Sequence, residues 1–550
     1  MKKLLAILVL GIGIVLWIPD KTLACQATVD SSETLAHDLR TCDDGDTLTI
    51  TVNGSINRKW QTVEVPSGVN GATINNSGDL LSAKNTSTGI EAISSTYLTI
   101  NNYADATIRS GGKAINGTTA TNLTIDNAGT IKSYTQGKSA WRDQAIKSTG
   151  NTTSVTNQTT GTIGGRQKVV KSEASNFTLN NLGTIDANTV NFTGNKSWMN
   201  GTGKWTVHGS GTSAILTNSG TITAEDIYAV WLEGTSAEVT NTGTITAANS
   251  ALHLEGASAI LTNSGDITVT NQKAIVLDGA AQKITNESGG TIQGGASGWD
   301  TDDLLAILIS ANATNLTLEN SGTITSGTNT IKTVSTGMTL TNYSGGTISA
   351  QVDGSGEKAI FVDGDNNTIE NYGTISGAGN SNSINVDTGI TGTNIILHGS
   401  STITGEIDLE STATAITFTC DFTSNMDVEV ENKTNMTVTN NLCGNDTYEI
   451  LDSSKNADAD NSETDGYIRI DEGLEVVSNN ASYRSENVLT KLKGLFSAAN
   501  YIDGVEPEDK FFRIFYSNVK RENMYKGSMA GVVGQLSPIN WGNVTSNVFL

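Results

Sequence analysis

Three acidic residues recur at one position of a repeated phrase and are the first candidates for chemistry. The phrase reads A-V-W-L-E-G, A-L-H-L-E-G and A-I-V-L-D-G, and it aligns Glu233, Glu255 and Asp278. Carboxylates stacked about 5 Å apart repel one another and raise one another's pKa. Such a column can bind Ca²⁺, act as a catalytic pair or simply face water. Because Ser310 and Ser335 take the next positions, the column is not expected to continue, and a structural or solvent-facing role is the leading interpretation.

Other residue types that carry chemistry are sparse. The chain has four histidines, His37, His208, His253 and His398. Their spacing in the sequence is not that of metal ligands. The sequence contains no G-x-S-x-G elbow and no phosphate-binding glycine loop. We therefore predict no catalytic residue, no metal ligand and no cofactor.

Three long insertions bring tryptophan to one point of the repeat. They read K-S-Y-T-Q-G-K-S-A-W-R-D-Q, N-F-T-G-N-K-S-W-M-N-G-T-G-K-W and G-G-A-S-G-W-D-T-D-D, and they contain Trp141, Trp198, Trp205 and Trp299. Aromatic rings on loops often contact sugars and proteins, so these four form a candidate ligand-binding edge. In the alternative interpretation, each ring covers its own loop. If the edge binds, replacing Trp141, Trp198 and Trp299 with Ala should abolish attachment without unfolding the protein.

The elements that position these residues follow from a second repeated phrase, built on N-x-G-T-I. It returns twelve times, usually after 22 to 30 residues, and this period is typical of a solenoid. The repeated asparagines are Asn76, Asn102, Asn127, Asn157, Asn181, Asn218, Asn241, Asn263, Asn286, Asn320, Asn342 and Asn371.

Both phrases alternate apolar and small polar residues, as strands do. Each repeat is therefore predicted to form one coil of two or three short strands, so the fold class is all-β, a parallel β-helix. The apolar residues should stack inward as columns, for example Ile222, Ile245 and Ile267, or Leu232, Leu254 and Leu277. The asparagines should form a hydrogen-bonded ladder, in which Asn218, Asn241, Asn263 and Asn286 are about 4.8 Å apart. The glycine that follows each asparagine is expected to adopt a positive φ.

Composition and charge narrow the range of partners. Charged residues make up 16% of the chain and the net charge is −23, so nucleic acid is excluded as a partner, because phosphate binding needs Lys and Arg. The N-terminus predicts export, since Lys2 and Lys3 precede an apolar stretch from Leu4 to Trp17 that is short for a membrane span. Cleavage is expected after Ala24, and no membrane anchor is recognisable elsewhere.

Four cysteines in an exported chain favour disulfides. The expected pairs are Cys25 with Cys42 and Cys420 with Cys443, which flank the repeats and would act as caps. Lipidation of Cys25 is the alternative, but Thr22 stands where a lipoprotein signal needs Leu or a similar residue.

The chain is thereby divided into five segments. They are a signal peptide (1–24), an N-terminal cap (25–70), the β-helix array (71–380), C-terminal coils with a cap (381–443) and a polar tail (444–550). In the tail, D-S-S-K-N-A-D-A-D-N-S-E-T-D-G predicts a loop, and leucines three apart predict a helix over 486–502. The final 40 residues have no assignable pattern.

The signal peptide, the N-x-G-T-I repeats and the later I-T-G-E-I-D-L-E-S-T-A-T-A-I-T-F-T phrase resemble passenger domains of bacterial autotransporters. The resemblance covers residues 1 to about 420. It implies a right-handed parallel β-helix that is exported to the outer membrane surface or exterior of a Gram-negative cell. The family's C-terminal barrel is not recognisable in the 107 residues after Cys443, because they lack a series of long alternating strands. A truncated or split gene product, or an anchor encoded elsewhere, is therefore expected.

These observations predict a non-enzymatic display or adhesion role. The expected partner is a glycan, a cell-surface protein or another copy of the chain. A carbohydrate-active β-helix enzyme is the main alternative, and a carboxylate cluster with Lys or Arg on the same face would favour it. A fragment without independent function is the third interpretation.

Overall fold

The repeated phrases form stacked coils of three short strands in the computed structural model. The structure describes residues 23–24, 27–34, 40–83, 87–133, 144–165, 168–187, 205–225, 228–295, 304–351, 357–377, 382–399, 401–410 and 413–419, and after these the strands at 427–431, 436–440, 447–452, 466–471, 512–521, 525–534, 539–541 and 544–546.

Each coil contributes one strand to each of three parallel sheets, in the chain order sheet 1, sheet 2, sheet 3. The parallel strands of sheet 1 are Leu23–Ala24, Arg40–Thr41, Val63–Val65, Thr88–Ala92, Lys113–Gly117, Gln144–Ser148, Lys168–Ser172, Trp205–Gly209, Tyr228–Leu232, Ser250–Leu254, Ile275–Leu277, Ile307–Ile309, Ile331–Thr333, Lys358–Val362, Asn382–Val386, Ile407–Leu409 and Asp427–Glu431. Sheet 2 consists of Ala27–Val29, Thr47–Ile50, Thr73–Asn76, Thr99–Asn102, Leu123–Asn127, Thr152–Asn157, Asn176–Asn181, Ile215–Asn218, Glu238–Asn241, Ile260–Asn263, Lys283–Asn286, Thr317–Asn320, Thr339–Asn342, Thr368–Asn371, Thr391–Leu397, Ala413–Phe418 and Met436–Asn440. Sheet 3 consists of Ser32–Thr34, Ser55–Arg58, Asp79–Ser82, Thr107–Ser110, Thr130–Ser133, Thr162–Gly164, Thr184–Asp186, Thr221–Ala224, Thr244–Ala247, Asp266–Val269, Thr291–Gln293, Thr323–Ser326, Thr347–Ala350, Thr374–Ser376 and Thr402–Thr404. The predicted parallel β-helix is confirmed.

The core is the inside of this triangular rod, and strand alternation fills it. In Glu238–Asn241 the side chains are alternately exposed and buried, as the pleat of a strand requires. The predicted columns are confirmed: Ile222, Ile245 and Ile267 are register partners, and so are Leu232, Leu254 and Leu277. All six side chains are buried. No coil can bury this apolar face alone, so stacking of the coils stabilises the rod.

The twelve repeat asparagines form one continuous amide ladder inside the turn between sheet 2 and sheet 3. The side-chain Nδ2 of each donates to the Oδ1 of the next, at 2.7–2.9 Å, from Asn76 through to Asn371. All twelve are buried. The predicted stacking of Asn218, Asn241, Asn263 and Asn286 is confirmed by the strand register.

The glycine two residues after the asparagine recurs for a reason other than the predicted one, whereas Gly289 and Gly345, three residues after Asn286 and Asn342, have the predicted positive φ, at 88° each. Gly243 does not have a positive φ; instead, a Cβ at this position would overlap the carbonyl oxygen of Gly220 in the previous coil. Close approach of successive turns therefore excludes a side chain. The left-handed backbone occurs five residues before the asparagine, at Ser236 with φ 57° and at Ser258 with φ 58°.

The two ends of the chain extend this pattern differently. The segment predicted as an N-terminal cap contributes strands to the same three sheets, from Ala27–Val29 to Val63–Val65. Leu23–Ala24, the end of the predicted signal peptide, pairs with Arg40–Thr41. Whether the signal is cleaved stays a prediction.

Beyond the parallel coils the strands become antiparallel. Gly466–Asp471 pairs with both Asp427–Glu431 and Thr447–Asp452, so the polar tail contains strands that its composition did not indicate. Two hairpins follow, Phe512–Arg521 with Tyr525–Gly534 and Ile539–Trp541 with Val544–Ser546. The helix predicted over 486–502 lies outside the described residues. Within the described part of the chain, no helix has the length and apolar character needed to cross a membrane.

Candidate functional site

Five ring side chains meet on the outer face of sheet 1 in three neighbouring coils, and we call them the aromatic platform. They are Trp205, His208, Tyr228, Trp231 and His253. His208, Trp231 and His253 occupy one register column, and Trp205 pairs with Tyr228 in the next. His208, Trp231 and His253 alternate with the core residues beside them and so face outward, whereas Trp205 and Tyr228 begin their strands and are not placed by this alternation.

The ring of Trp231 is fixed from several sides. It stacks on His253 with centroids 5.6 Å apart and an interplanar angle of 8°. The edge of Trp205 lies 5.1 Å away at 80°, and the ring of Tyr228 lies 5.5 Å away. Its indole Nε1 donates to Glu255 Oε2 at 3.0 Å. The platform is thus preorganised, because its central ring is held by both packing and a hydrogen bond.

The five rings lie at two depths. Trp205 is 8% exposed and His208 is 4% exposed, so both are buried. Tyr228, Trp231 and His253 are half-buried and provide the accessible surface. Lys168 Nζ lies 4.5 Å from the Trp205 ring centroid, in a cation–π contact. A ligand at this site would therefore meet the upper three rings first.

A column of carboxylates flanks the platform, as the repeated phrase predicts. The backbone amides of Glu233, Glu255 and Asp278 bond to equivalent carbonyls of Gly209, Leu232 and Leu254 in the preceding coils, so the three acids occupy the same position of successive coils. His208 Nε2 lies 3.2 Å from Glu233 Oε1, outside hydrogen-bond geometry. Asp278 accepts from the Ser310 hydroxyl and from Asn312.

The prediction that this column is not sustained is confirmed for the next two coils, although one of the two residues named for them is wrong. Ser310 follows Asp278, but Val334 rather than Ser335 takes the next position, and Asp363, Asp387 and Glu410 then continue the column. The coil from Ser310 to Val334 is one residue shorter than the count to Ser335 assumes. Burial and the neighbouring Asp387 carboxylate raise the pKa of Asp363. Within the described residues, no group of three or more His, Cys, Asp and Glu is placed to hold a metal ion.

Burial makes the platform a site of neutral rings. Burial lowers the pKa of His208, and the nearby Glu233 carboxylate opposes this shift. Burial likewise lowers the pKa of His253, and the carboxylates of Glu255, Asp278 and Glu233 oppose this shift. Burial raises the pKa of the Tyr228 hydroxyl, and the Glu255 carboxylate adds a smaller shift in the same direction. Both imidazoles and the phenol are therefore uncharged at neutral pH.

The platform also contains unsatisfied polar atoms. Among the described residues, the two ring nitrogens of His208, the two of His253 and Nε1 of Trp205 have no hydrogen-bond partner. Buried polar groups are nearly always paired, and an orphan costs about 1–3 kcal/mol. All five nitrogens are buried atoms, so the ring packing of the platform costs unpaired donors and acceptors.

The predicted tryptophan edge is only partly described. Trp205 begins a sheet 1 strand and belongs to the platform rather than to a loop. Trp141, Trp198 and Trp299 lie outside the described residues. Each insertion does connect a sheet 3 strand to the next sheet 1 strand, as predicted: Thr130–Ser133 to Gln144–Ser148, Thr184–Asp186 to Trp205–Gly209, and Thr291–Gln293 to Ile307–Ile309. The three insertions therefore leave from the same corner of the coil, and one of them leads directly into the platform at Trp205.

Of the four cysteines, the structure describes one. Cys42 is fully buried and disulfide-bonded. Cys25, Cys420 and Cys443 lie outside the described residues, so both predicted pairings stay predictions.

The histidines and upper rings of the platform were not predicted as a site, although the repeated phrase contained the signal. In A-V-W-L-E-G and A-L-H-L-E-G, Trp231 and His253 precede the aligned acids by two residues. Residues two apart in a strand face the same side, so the outward acids imply outward rings. Comparison of the chain with protein families, curated proteins and solved structures finds no match.

Proposed function

We propose that the protein is an exported, autotransporter-like β-helical rod with a non-enzymatic adhesion role, which attaches through the aromatic platform. The observation that carries this proposal is the preorganised Trp231 ring, held by four neighbouring rings and by Glu255 on an outer face. Large rings with few rotatable bonds contribute contact area at a low entropy cost, and they dominate binding energies at interfaces.

The rest of the fold suits such a role. Fifteen strands in sheet 3, about 4.8 Å apart, form a long rod whose core is independent of its outer columns. The predicted signal peptide and the resemblance to autotransporter passengers support export and display at the surface of a Gram-negative cell.

The test is attachment of beads coated with the full chain to bacterial cells, to eukaryotic cells and to one another. The double variant Tyr228→Ala/Trp231→Ala should lose attachment, because it removes two of the three accessible rings. The matched control is Tyr343→Ala, since Tyr343 is 42% exposed and stacks on Tyr372 elsewhere on the rod.

Circular dichroism should show that both variants retain the β-helix. Equal attachment by the two variants, or no attachment by the wild-type protein to any surface, would contradict the proposal. Loss of the fold in the double variant is checked independently with Trp231→Phe, which preserves a ring at the centre of the platform.

A carbohydrate-active enzyme is the second candidate, because Lys171, Glu173, His208 and Glu233 lie on the same face. Lys171 and Glu173 form an ion pair, and both affect the pKa of His208. Incubation with polysaccharides, followed by assay of new reducing ends or unsaturated products, tests this candidate. Turnover that Glu233→Gln abolishes would favour the enzyme over the adhesin.

A further inference from the structure

We propose that the aromatic platform is a pH-sensitive switch, in which proton uptake by His208 and His253 releases the Trp231 ring at mildly acidic pH. This inference rests on the proposed attachment role and adds its regulation: the protein attaches at neutral pH and detaches when its surroundings are acidified. Ring movement and attachment are measured separately, so the two ideas fail in different experiments.

The two histidines hold the central ring of the platform from both sides. His208, Trp231 and His253 are register partners in three consecutive coils. The His208 ring centroid lies 5.3 Å from that of Trp231, and the His253 centroid lies 5.6 Å from it at an interplanar angle of 8°. Movement of either imidazole therefore removes packing from Trp231.

Both imidazoles are packed as neutral rings. The two ring nitrogens of His208 and the two of His253 are buried and have no hydrogen-bond partner in the described part of the chain. A neutral imidazole carries one N–H donor, whereas an imidazolium carries two donors and a charge. Protonation therefore adds an unpaired donor and a charge to a ring that is screened from water, and both are costly.

Charged and titratable groups of the neighbouring coils act on this cost. Those around the two imidazoles are Lys168, Lys171, Glu173, Tyr228, Glu233, Glu255 and Asp278. Tyr228 is uncharged at neutral pH, because burial raises the pKa of its hydroxyl. Lys168 lies over the Trp205 ring, 4.5 Å from its centroid. The carboxylates attract an imidazolium and the lysines repel it, so the outcome depends on where each group lies.

The charges beside His208 do not compensate for burial. Glu233 Oε1 lies 3.2 Å from His208 Nε2, but outside hydrogen-bond geometry. Glu173 also attracts a positive ring, whereas its ion-pair partner Lys171 repels it. Burial outweighs these charges, so the pKa of His208 lies below its ordinary value. Rotation of the protonated ring towards Glu233 gains a charge-assisted hydrogen bond and removes the ring from Trp231.

The charges beside His253 couple this imidazole directly to Trp231. Glu255 attracts a charge on His253 more strongly than Asp278 and Glu233 do. Glu255 Oε2 also accepts the Trp231 indole N–H, at 3.0 Å. Burial again outweighs the carboxylates and lowers the pKa of His253. A protonated His253 competes with Trp231 for Glu255, so proton uptake weakens the hydrogen bond that fixes the indole.

The direction of the pH dependence follows from these shifts. Because both folded pKa values lie below the unfolded value of about 6.5, the packed platform is fully stable above that pH. It loses stability as pH falls from there through the folded pKa values. The amide ladder and the apolar columns of the core contain no titratable group, so the platform opens while the rod stays folded.

The first experiment follows the rings of the full chain from pH 7.5 to pH 5.0 by near-ultraviolet circular dichroism and tryptophan fluorescence. The wild-type protein should show a transition below about pH 6.5, with an unchanged far-ultraviolet spectrum. Trp231→Phe should reduce its amplitude, and His208→Gln/His253→Gln should abolish it. The matched control His398→Gln should keep it, since His398 lies beside Glu370 and Thr419, away from the platform.

Histidine-selective isotope labelling and NMR test the wild-type protein directly, in case the double variant does not fold. His208 and His253 should both titrate below the unfolded pKa of about 6.5. Titration of both at or above that value would overturn the switch. So would the absence of a ring transition in the wild-type protein, or a transition that the folded double variant retains.

The second experiment measures attachment of the coated beads over the same pH range. Platform-dependent attachment should be lost on acidification and recovered at pH 7.5, and its pH midpoint should coincide with that of the ring transition. His253→Gln should move both midpoints together. Attachment that ignores the ring transition would overturn the regulation and leave the attachment role intact. Attachment that does not depend on Tyr228 and Trp231 would overturn the attachment role, and its regulation with it.

Discussion

Removing one amide from the interior of the ladder should destabilise the rod more than removing one from its end. Asn241 accepts from Asn218 Nδ2 at 2.8 Å and donates to Asn263 Oδ1 at 2.8 Å. In Asn241→Ala, Asn218 Nδ2 keeps the carbonyls of Gly220 and Thr244. Asn263 Oδ1, by contrast, loses its amide donor inside the core.

The magnitude follows from these bonds. An orphaned buried acceptor costs about 1–3 kcal/mol and a lost hydrogen bond about 1 kcal/mol, so Asn241→Ala should cost about 2–4 kcal/mol. Asn371 ends the ladder, accepting from Asn342 and donating to the Gly373 carbonyl. Asn371→Ala leaves no later side-chain amide without a donor but removes the acceptor of the Gly373 N–H, at 3.2 Å, so about 1–2 kcal/mol is expected. The control Thr240→Ala, at an exposed position of the same strand, should change stability by less than about 0.5 kcal/mol.

Asn241→Asp adds a pH dependence that Asn241→Ala lacks. The new carboxyl would face Asn263 Oδ1 and the carbonyls of Gly243 and Asp266, all acceptors. The fold therefore favours the protonated acid, and its folded pKa rises above the unfolded value of about 3.9. A raised pKa gives stability that is complete below the unfolded pKa and is lost as pH rises through the folded pKa. Asn241→Asp should be more stable at pH 4 than at pH 7, relative to Asn241→Ala.

Native-state hydrogen exchange is the suitable assay, because it reports the opening free energy of individual coils and does not require two-state unfolding of a long array. Exchange of the amides in Ile215–Asn218, Glu238–Asn241 and Ile260–Asn263 gives the local cost. Equal costs for Asn241→Ala and Asn371→Ala would refute the reasoning that a continuous ladder stabilises its interior members.

Two further predictions concern close packing and the platform. Gly243→Ala should cost about 3 kcal/mol of stability, because its Cβ would overlap the backbone of the previous coil. Gly289 has φ 88° and open space around a Cβ, so Gly289→Ala should cost about 1 kcal/mol. Urea unfolding measures both costs, and equal values would contradict the packing argument. His208 has a folded pKa below its ordinary value, so its contribution to stability is complete above the unfolded pKa of about 6.5 and declines as pH falls from there towards the folded pKa. His208→Gln should therefore lose less stability than the wild-type protein between pH 7.5 and 5.5 in urea unfolding, and parallel losses would exclude this role of His208.

Much of the fold could be predicted because a solenoid repeats one local rule. The spacing of the asparagines fixes both the coil and the register, so Asn218, Asn241 and Asn263 could be aligned without any long-range information. The role of Gly243 could not be predicted in the same way. Its position is consistent with a turn that needs a positive φ, and only the distance between successive backbones shows that a Cβ has no room.

The site was less predictable, because the insertions are rich in tryptophan whereas the rings of the platform lie on strands. Trp205 lies beside an insertion in sequence, yet it is the first residue of Trp205–Gly209. Its neighbours Trp231 and His253 come from the following coils. The carboxylate column shows the same difficulty, since the coils differ in length by single residues and counting alone put Ser335 where the structure has Val334.

In a rod of stacked coils, the repeat determines stability, and under the proposed function the departures from it provide the attachment surface. The inner columns need apolar residues in every coil, whereas each outward position is free to vary without cost to the core. The column that holds His208, Trp231 and His253 continues as Val276, Leu308 and Lys332 in the next coils, so large rings occupy consecutive positions in only part of it. Since the core does not require rings at these positions, the contacts that fix Trp231 support the proposed attachment role of this part of the rod.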